Sequence, residues 1–187
     1  MKKCYIWEDC ARCAVGYFAR VNLYILRHGI AAERGTPGFK TDADRPLTPK
    51  GRRQLRQIAA AMQNLELHFD LILSSPFLRA RQTAEIVART LKLKKRLASS
   101  DELTPDGDSK ALIRQLNEPG PAPENVLLVG HEPNFSRLVA LLISGEPATT
   151  IDLKKGGLCR LETDALRAGR CAALSWLLTP KQMKMMV

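Results

Sequence analysis

Val21-Asn22-Leu23-Tyr24-Ile25-Leu26-Arg27-His28-Gly29 is a short apolar, β-prone run that stops abruptly on two polar side chains and a glycine. The run predicts a buried strand over Val21 to Leu26. Its end does nothing for a core. The same arrangement recurs twice downstream. Phe69 to Leu73 ends in Ser74-Ser75-Pro76, and Asn125 to Val129 ends in Gly130-His131-Glu132-Pro133.

Helical patterns separate these runs. Leu47-Thr48-Pro49 announces a helix with Thr48 as N-cap and Pro49 in the first helical position. Leu55, Ile58, Ala59 and Met62 then recur at the spacing of one helical face, with Arg52, Arg53, Arg56 and Gln57 on the others. Ala80, Ala84, Val87 and Leu91 mark a second helix, Asp108 to Leu116 a short third and Asn134 to Leu142 a fourth. Leu158 to Glu162 and Cys171 to Leu177 read as closing strands, and Gly120-Pro121-Ala122-Pro123 as a connecting loop. Strands alternating with helices predict an α/β domain: a three-layer α/β/α sandwich around a mostly parallel sheet.

The whole chain has 187 residues, which suits one domain and leaves no room for a large lid domain. Hydrophobic residues make up 45% and charged residues 26%, the balance of a soluble globular protein. The longest apolar stretches, Leu138 to Ile143 and Ala172 to Leu178, fall far short of the roughly 18 to 20 residues that span a bilayer. The first residues carry two lysines, yet Glu8, Asp9 and Arg12 interrupt any apolar leader, so a cytoplasmic location is expected. Five cysteines, an odd and uneven set, read as reduced thiols. Residues 1 to 20 stand apart as an N-terminal extension before a domain over 21 to 187. Translation from a valine codon at Val15 or Val21 would make them a start-site artefact. Cys10-Ala-Arg-Cys13 has zinc-knuckle spacing but only Cys4 nearby, short of the four ligands a structural site needs. The net charge of +10 calls for an anionic partner: nucleic acid, acidic membrane or a phosphorylated molecule.

Ligands of open α/β sheets bind beyond the carboxyl ends of the strands. If the three polar ends are neighbours there, Arg27, His28, Arg79 and His131 converge on one crevice. Like charges gather only where an anion sits between them. A phosphoryl group fits: arginine forks match its oxygens, and a neutral imidazole can attack phosphorus. There is no GxxxxGK[ST] loop and no cysteine in a strand-to-helix loop followed by arginine. His28 and His131 come with no compact carboxylate set, so neither metal nor cofactor is expected.

Leu26-Arg27-His28-Gly29 resembles the RHG signature of the histidine phosphatase (phosphoglycerate-mutase-like) superfamily. Ser74-Ser75-Pro76-Phe77-Leu78-Arg79-Ala80-Arg81-Gln82-Thr83-Ala84 is similar to its SSPxxRAxQTA segment, and Gly130-His131-Glu132-Pro133 to its second histidine motif. Arg45-Pro46-Leu47-Thr48 with Gly51, Glu102-Leu103-Thr104-Pro105 and Trp176-Leu177-Leu178-Thr179-Pro180-Lys181 resemble the small SixA-type branch of phosphohistidine phosphatases. The resemblance runs from about Val21 to about Lys184. It implies a phosphoglycerate-mutase-like fold and His28 as the nucleophile of a phosphohistidine intermediate. Arg27, Arg79 and His131 would hold the phosphoryl oxygens, with Arg45 in the same pocket.

The match thins at the general acid, for which Glu102, Asp42 and Asp44 are candidates. Phosphohistidine lowers the need for one, because imidazole leaves far more readily than an alkoxide. The 167 residues from Val21 onward hold no segment long enough to close over a metabolite, which favours a phosphate displayed on a protein, such as a phosphorelay or phosphocarrier domain. The alternatives are a small-molecule phosphomonoesterase of the superfamily and a non-catalytic binder. Two basic runs, Lys50 to Arg56 and Arg89 to Arg96, are expected to form a rim that attracts an acidic protein. Neither interleaves aromatics as base-stacking surfaces do, which argues against nucleic acid, and no membrane role is expected.

Overall fold

The computed structural model describes residues 20–119, 123–148 and 150–187. The expected extension, with its Cys10 and Cys13 pair, lies outside the described residues except for Arg20, as do positions 120–122 of the connecting loop. No described helix is long and apolar enough to cross a membrane.

The elements follow in chain order as β1 (Val21–Arg27), α1 (Pro49–Asn64), β2 (Leu71–Ser74), α2 (Leu78–Thr90), β3 (Leu97–Ser99), α3 (Ser109–Leu116), β4 (Asn125–Gly130), α4 (Asn134–Ser144), β5 (Leu158–Thr163), β6 (Ala173–Leu178) and α5 (Pro180–Lys184). Six strands form one sheet in the order β3-β2-β4-β1-β5-β6. The first four are parallel; β5 runs against both β1 and β6. The fold is thus a three-layer α/β/α sandwich with a mostly parallel sheet.

Alternation along the strands assigns the two faces. Tyr24 and Leu26 of β1, Leu127 and Val129 of β4 and Ile72 of β2 pack with α1, α2 and Met183 of α5. Leu23, Ile25, Val126 and Leu128 pack on the other side with α3 and α4. Leu55, Ile58, Ala59 and Met62 are fully buried, as their spacing predicts. Each large side chain so placed contributes about 1.5–3 kcal/mol by leaving water.

Thr48 caps α1 by accepting the Gly51 N–H at 3.0 Å, and its own N–H donates to Ile30 O at 2.9 Å. This ties the start of α1 to the loop after β1. A Cβ on Gly51 would stand 2.1 Å from Ile30 O, so only glycine lets helix and loop approach so closely. Gly130 serves the same purpose at the end of β4, where a Cβ would lie 2.7 Å from Leu103 O and 2.8 Å from Phe135 Cζ.

The structure departs from expectation at several boundaries. The second strand begins at Leu71, although Phe69 is fully buried beside Tyr24. The last strand begins at Ala173, because the Cys171 and Ala172 N–H groups donate instead to Leu142 O. Two elements were not anticipated. β3 is only three residues directly after a basic run, with Ala98 and Ser99 exposed. α5 is set by a capping box, Thr179 with Gln182, and Pro180 in the first turn. The two basic runs also part company. α2 runs antiparallel to β2, so Arg89 to Arg96 lies at the amino ends of the parallel strands, with Arg96 donating to Asp70 O just before β2. Only the run on α1 reaches the end where β1, β2 and β4 terminate.

Candidate active site

The sheet register brings the three polar ends together. Arg27 pairs with Gly130 and Ser74 with Val129, so β2, β4 and β1 stop side by side. Ladder hydrogen bonds continue one residue further, from His28 N–H to Gly130 O (3.0 Å) and from Ser75 N–H to Val129 O (2.9 Å). The His28 and His131 rings therefore sit 4.9 Å apart, centroid to centroid. With Arg27, Asp42, Arg45 and Arg79 they line one pocket of about 680 Å³.

His28 is 6% exposed and its Nδ1 lies 2.7 Å from Gly29 O. A carbonyl only accepts, so Nδ1 carries the proton and Nε2 keeps its lone pair. Arg79 Nε donates to that Nε2 at 3.3 Å. Burial, with Arg79, Arg27 and Lys155 nearby, outweighs the Gly29 hydrogen bond and pushes the imidazole down to about 3. The ring is neutral, with its lone pair toward a guanidinium. Thr83 locks this pair in place: its hydroxyl accepts the Gly29 N–H (3.2 Å) and donates to Arg79 O (2.7 Å).

His131, 1% exposed, has Nε2 2.9 Å from Ser75 Oγ. Ser75 Oγ also accepts the Phe77 N–H (3.3 Å), and His131 Nε2 is the acceptor left for the hydroxyl proton among the described residues. This pattern puts the imidazole proton on Nδ1, which is buried with no protein partner. Burial, then His28 and Arg79, pushes this ring down to about 2. An orphaned N–H in an arginine-lined pocket is a donor awaiting an anion.

The guanidiniums are held from behind. Arg27 donates through Nη1 to Leu153 O (2.8 Å) and Arg45 through Nη1 to Ala32 O (2.7 Å), while each leaves a buried Nε without a partner. Arg79, 3% exposed, donates to Asp42 O (2.6 Å) and Asp42 Oδ2 (2.8 Å). Asp42 Oδ1 also meets Arg45 Nη2 (2.8 Å) and Arg34 Nε (3.1 Å). Burial alone would raise the Asp42 carboxyl, but Arg79, Arg45 and Arg34 outweigh it and hold the group below the usual carboxylate range. In this pocket a carboxylate engages arginine donors that could equally hold an oxyanion.

Arg27, His28, Arg45, Arg79, His131 and Asp42 thus come together as expected. Glu102 does not join them. Its Oε2 accepts the Asp108 N–H (2.9 Å) ahead of α3, and Asp106, four residues on, lines the pocket instead. Asp44 is spent on its own turn, accepting from Thr41 N–H (3.1 Å) and Thr41 Oγ1 (2.8 Å). Sequence reasoning missed Arg34, Lys155 and the part Ser75 plays against His131. Lys155 belongs to Lys154-Lys155-Gly156-Gly157, a stretch without periodicity, and is carried to the pocket because the Gly156 N–H donates to Arg27 O (3.0 Å) and His28 O (3.2 Å). No group of three or more His, Cys, Asp or Glu among the described residues could hold a metal ion.

Comparison with known proteins agrees with this geometry. The family model of the histidine phosphatase superfamily (branch 1) matches residues 23–103. The phosphohistidine phosphatase SixA of Escherichia coli is 36% identical over 129 residues, covering 67% of this chain and 76% of that protein. An uncharacterized protein of Picosynechococcus sp. is 39% identical over 148 residues, 79% of this chain and 88% of its own. In three dimensions, the protein histidine phosphatase SixA complexed with tungstate superposes with a TM-score of 0.71 at 32% identity, over 86% of this chain and 98% of that one. Two buried imidazoles ringed by arginines at the carboxyl ends of parallel strands, in a chain this similar to SixA, place the protein in the histidine phosphatase superfamily, on its SixA branch.

Proposed function

We propose that this phosphatase hydrolyses phosphohistidine carried on another protein, through a covalent intermediate on His28. The observation that carries the reading is the His28 Nε2 lone pair, kept unprotonated by burial and facing Arg79 in an open, arginine-lined pocket. The tungstate complex of the SixA relative supports it, because tungstate is a tetrahedral oxyanion like phosphate.

In the first step His28 Nε2 attacks phosphorus as the substrate's P–N bond breaks. The substrate imidazole, protonated on its other nitrogen, leaves neutral and asks no proton of the enzyme. Water then attacks phosphorus, the bond to Nε2 breaks, inorganic phosphate departs and His28 returns to its neutral form. Charge on the phosphoryl oxygens is met by Arg27, Arg45, Arg79 and the His131 Nδ1–H, so the contribution of the site is placement and fixed positive charge. Asp42 must release its arginine donors when the anion enters. Held ionised by three guanidiniums, it is a poor proton donor, and Glu102 is engaged at the start of α3. Neither is needed for a leaving imidazole.

The test is a hydrolysis assay on a phosphohistidine protein beside sugar phosphates and nucleotides, with His28→Ala as control. Preferred hydrolysis of the phosphoprotein, and radiolabelled phosphate recovered on His28 after a rapid alkaline quench, are expected. Higher kcat/KM on the phosphomonoesters would give the protein the small-molecule role instead.

A further inference from the structure

α1 and α5 carry no carboxylate at all in their sequences, PKGRRQLRQIAAAMQN and PKQMK. Lys50, Arg53, Arg56, Lys181 and Lys184 are exposed on them, and none makes an ion pair among the described residues. Some exposed cations elsewhere are paired, as Arg81 with Glu85 at 3.7 Å and Lys154 with Asp152 at 2.5 Å, and others, as Lys92, Lys94 and Lys95 at the far end of the sheet, are not paired among the described residues; the α1 and α5 cations differ from these in lying at the pocket end. Uncompensated like charge on one face raises the energy of the free protein and is relieved when an anionic surface covers it.

This face is continuous with the mouth of the pocket. Lys155 lines the pocket beside His28, and the next residue, Gly156, sits where α1 and α5 meet. A Cβ on Gly156 would stand 2.9 Å from Ile58 Cδ1, 3.6 Å from Pro180 Cγ and 3.9 Å from Gln54 Oε1. Lys50 lies one turn before Gln54, and Lys181 follows Pro180. A strip of positive charge therefore leads from Lys155 over Lys50 and Lys181 onto the two helices.

We infer that this strip is the docking surface for an acidic face of the phosphohistidine-bearing protein, an inference that rests on the function proposed above. The strip extends beyond the pocket over two helices, so a phosphoryl group alone cannot fill it. A protein surface fits better than nucleic acid, because neither helix carries an aromatic residue on which bases could stack. Charge of this kind acts on encounter and on KM rather than on chemistry.

The test is the triple variant Lys50→Glu, Arg53→Glu and Lys181→Glu. The expected result is a fall of about 10- to 100-fold in kcat/KM on a phosphohistidine protein, carried by KM, with a flattened dependence on salt. Activity on free phosphohistidine should stay within about twofold, which also reports that the variant is folded. The matched triple Lys92→Glu, Lys94→Glu and Lys95→Glu, at the far end of the sheet, should leave both activities alone. Equal losses from the two triples would overturn the inference in favour of overall net charge, and no loss from the first would overturn it outright. So would duplex DNA binding that the first triple abolishes while phosphoprotein hydrolysis persists. A wild-type enzyme inactive on every phosphohistidine protein tried, yet active on phosphomonoesters, would instead overturn the function on which the strip depends.

Discussion

At the carboxyl ends of β1, β2 and β4, two histidines are buried against guanidiniums and neutral. At the opposite end of the sheet the third, His68, has a side chain 62% exposed and stands 3.8 Å from Asp70, near Arg96 and Glu124. The residue types at the two ends are much alike: imidazole, arginine, carboxylate. What differs is burial. The ladder reaches both ends: it continues into Gly130 O and Val129 O to fix His28 and Ser75, and at the other end Asp70 exchanges hydrogen bonds with Asn125. There, however, the imidazole and the arginine stand half in water, where an ion pair gains little. Chemistry follows the dry end of the sheet.

The largest test of that contrast is to remove a histidine from each end. His28→Ala should lower kcat/KM on the phosphoprotein by at least about 10³-fold, and His68→Ala should change it less than about twofold. A similar fall in both would break the contrast.

A second test concerns how the dry end is wired. Ser75→Ala removes the partner that keeps the His131 proton on Nδ1 and should cost about 10- to 100-fold in turnover. In nitrogen-15 spectra of imidazole-labelled protein, the His131 signals should move from the Nδ1–H pattern toward a mixture of tautomers. Lost activity with unchanged His131 signals would mean that Ser75 matters only for packing.

The third test reads the same burial through pH. Folded His28 and His131 titrate at about 3 and about 2, against 6.5 for an ordinary imidazole. Between pH 6.5 and 3 the unfolded chain binds protons that the folded domain refuses, so stability rises with pH through that window and is lost as pH falls through it. Above the window the two rings make no difference. The melting temperature should therefore drop less steeply from pH 7 to pH 4 in His28→Asn than in wild type. The same slope for both proteins would break the comparison.

The smallest effects belong to the carboxylates. Glu102→Gln and Asp42→Asn should each leave phosphohistidine hydrolysis within about tenfold and harm any phosphomonoester hydrolysis more. Equal collapse on both substrates would restore one of them as proton donor.

Much of this could be read in advance from residues whose local chemistry determines their place. Thr48-Pro49 caps α1, the 3.6-residue spacing of Leu55 to Met62 faces the core, and three apolar runs stop on Arg27-His28, Ser74-Ser75 and Gly130-His131. Those marks yielded the parallel sheet and the four residues at its edge. The remainder depends on contacts between distant segments. Nothing in Leu97 to Ser99 marks a strand until β2 lies beside it. The reversal of β5 against β1 is likewise a property of the assembled sheet. Asp42 could be named as a carboxylate near Arg45, yet its grip on Arg79 follows from the path of the loop after β1. α5 was legible and overlooked: Thr179-Pro180 with Gln182 is a helix start as plain as that of α1.

The place of β1 in the middle of the sheet has a consequence for how the protein is made. Arg27 and His28 come early in the domain, yet several of the backbone groups that fix them come more than a hundred residues later. Gly130 O receives the His28 N–H, Leu153 O receives Arg27 Nη1 and Gly157 O receives the Arg27 N–H. Such long-range pairings are slow to close, and until they do the nascent chain has a reactive imidazole but no site around it. The site is therefore complete only once strands from both halves of the chain have come together.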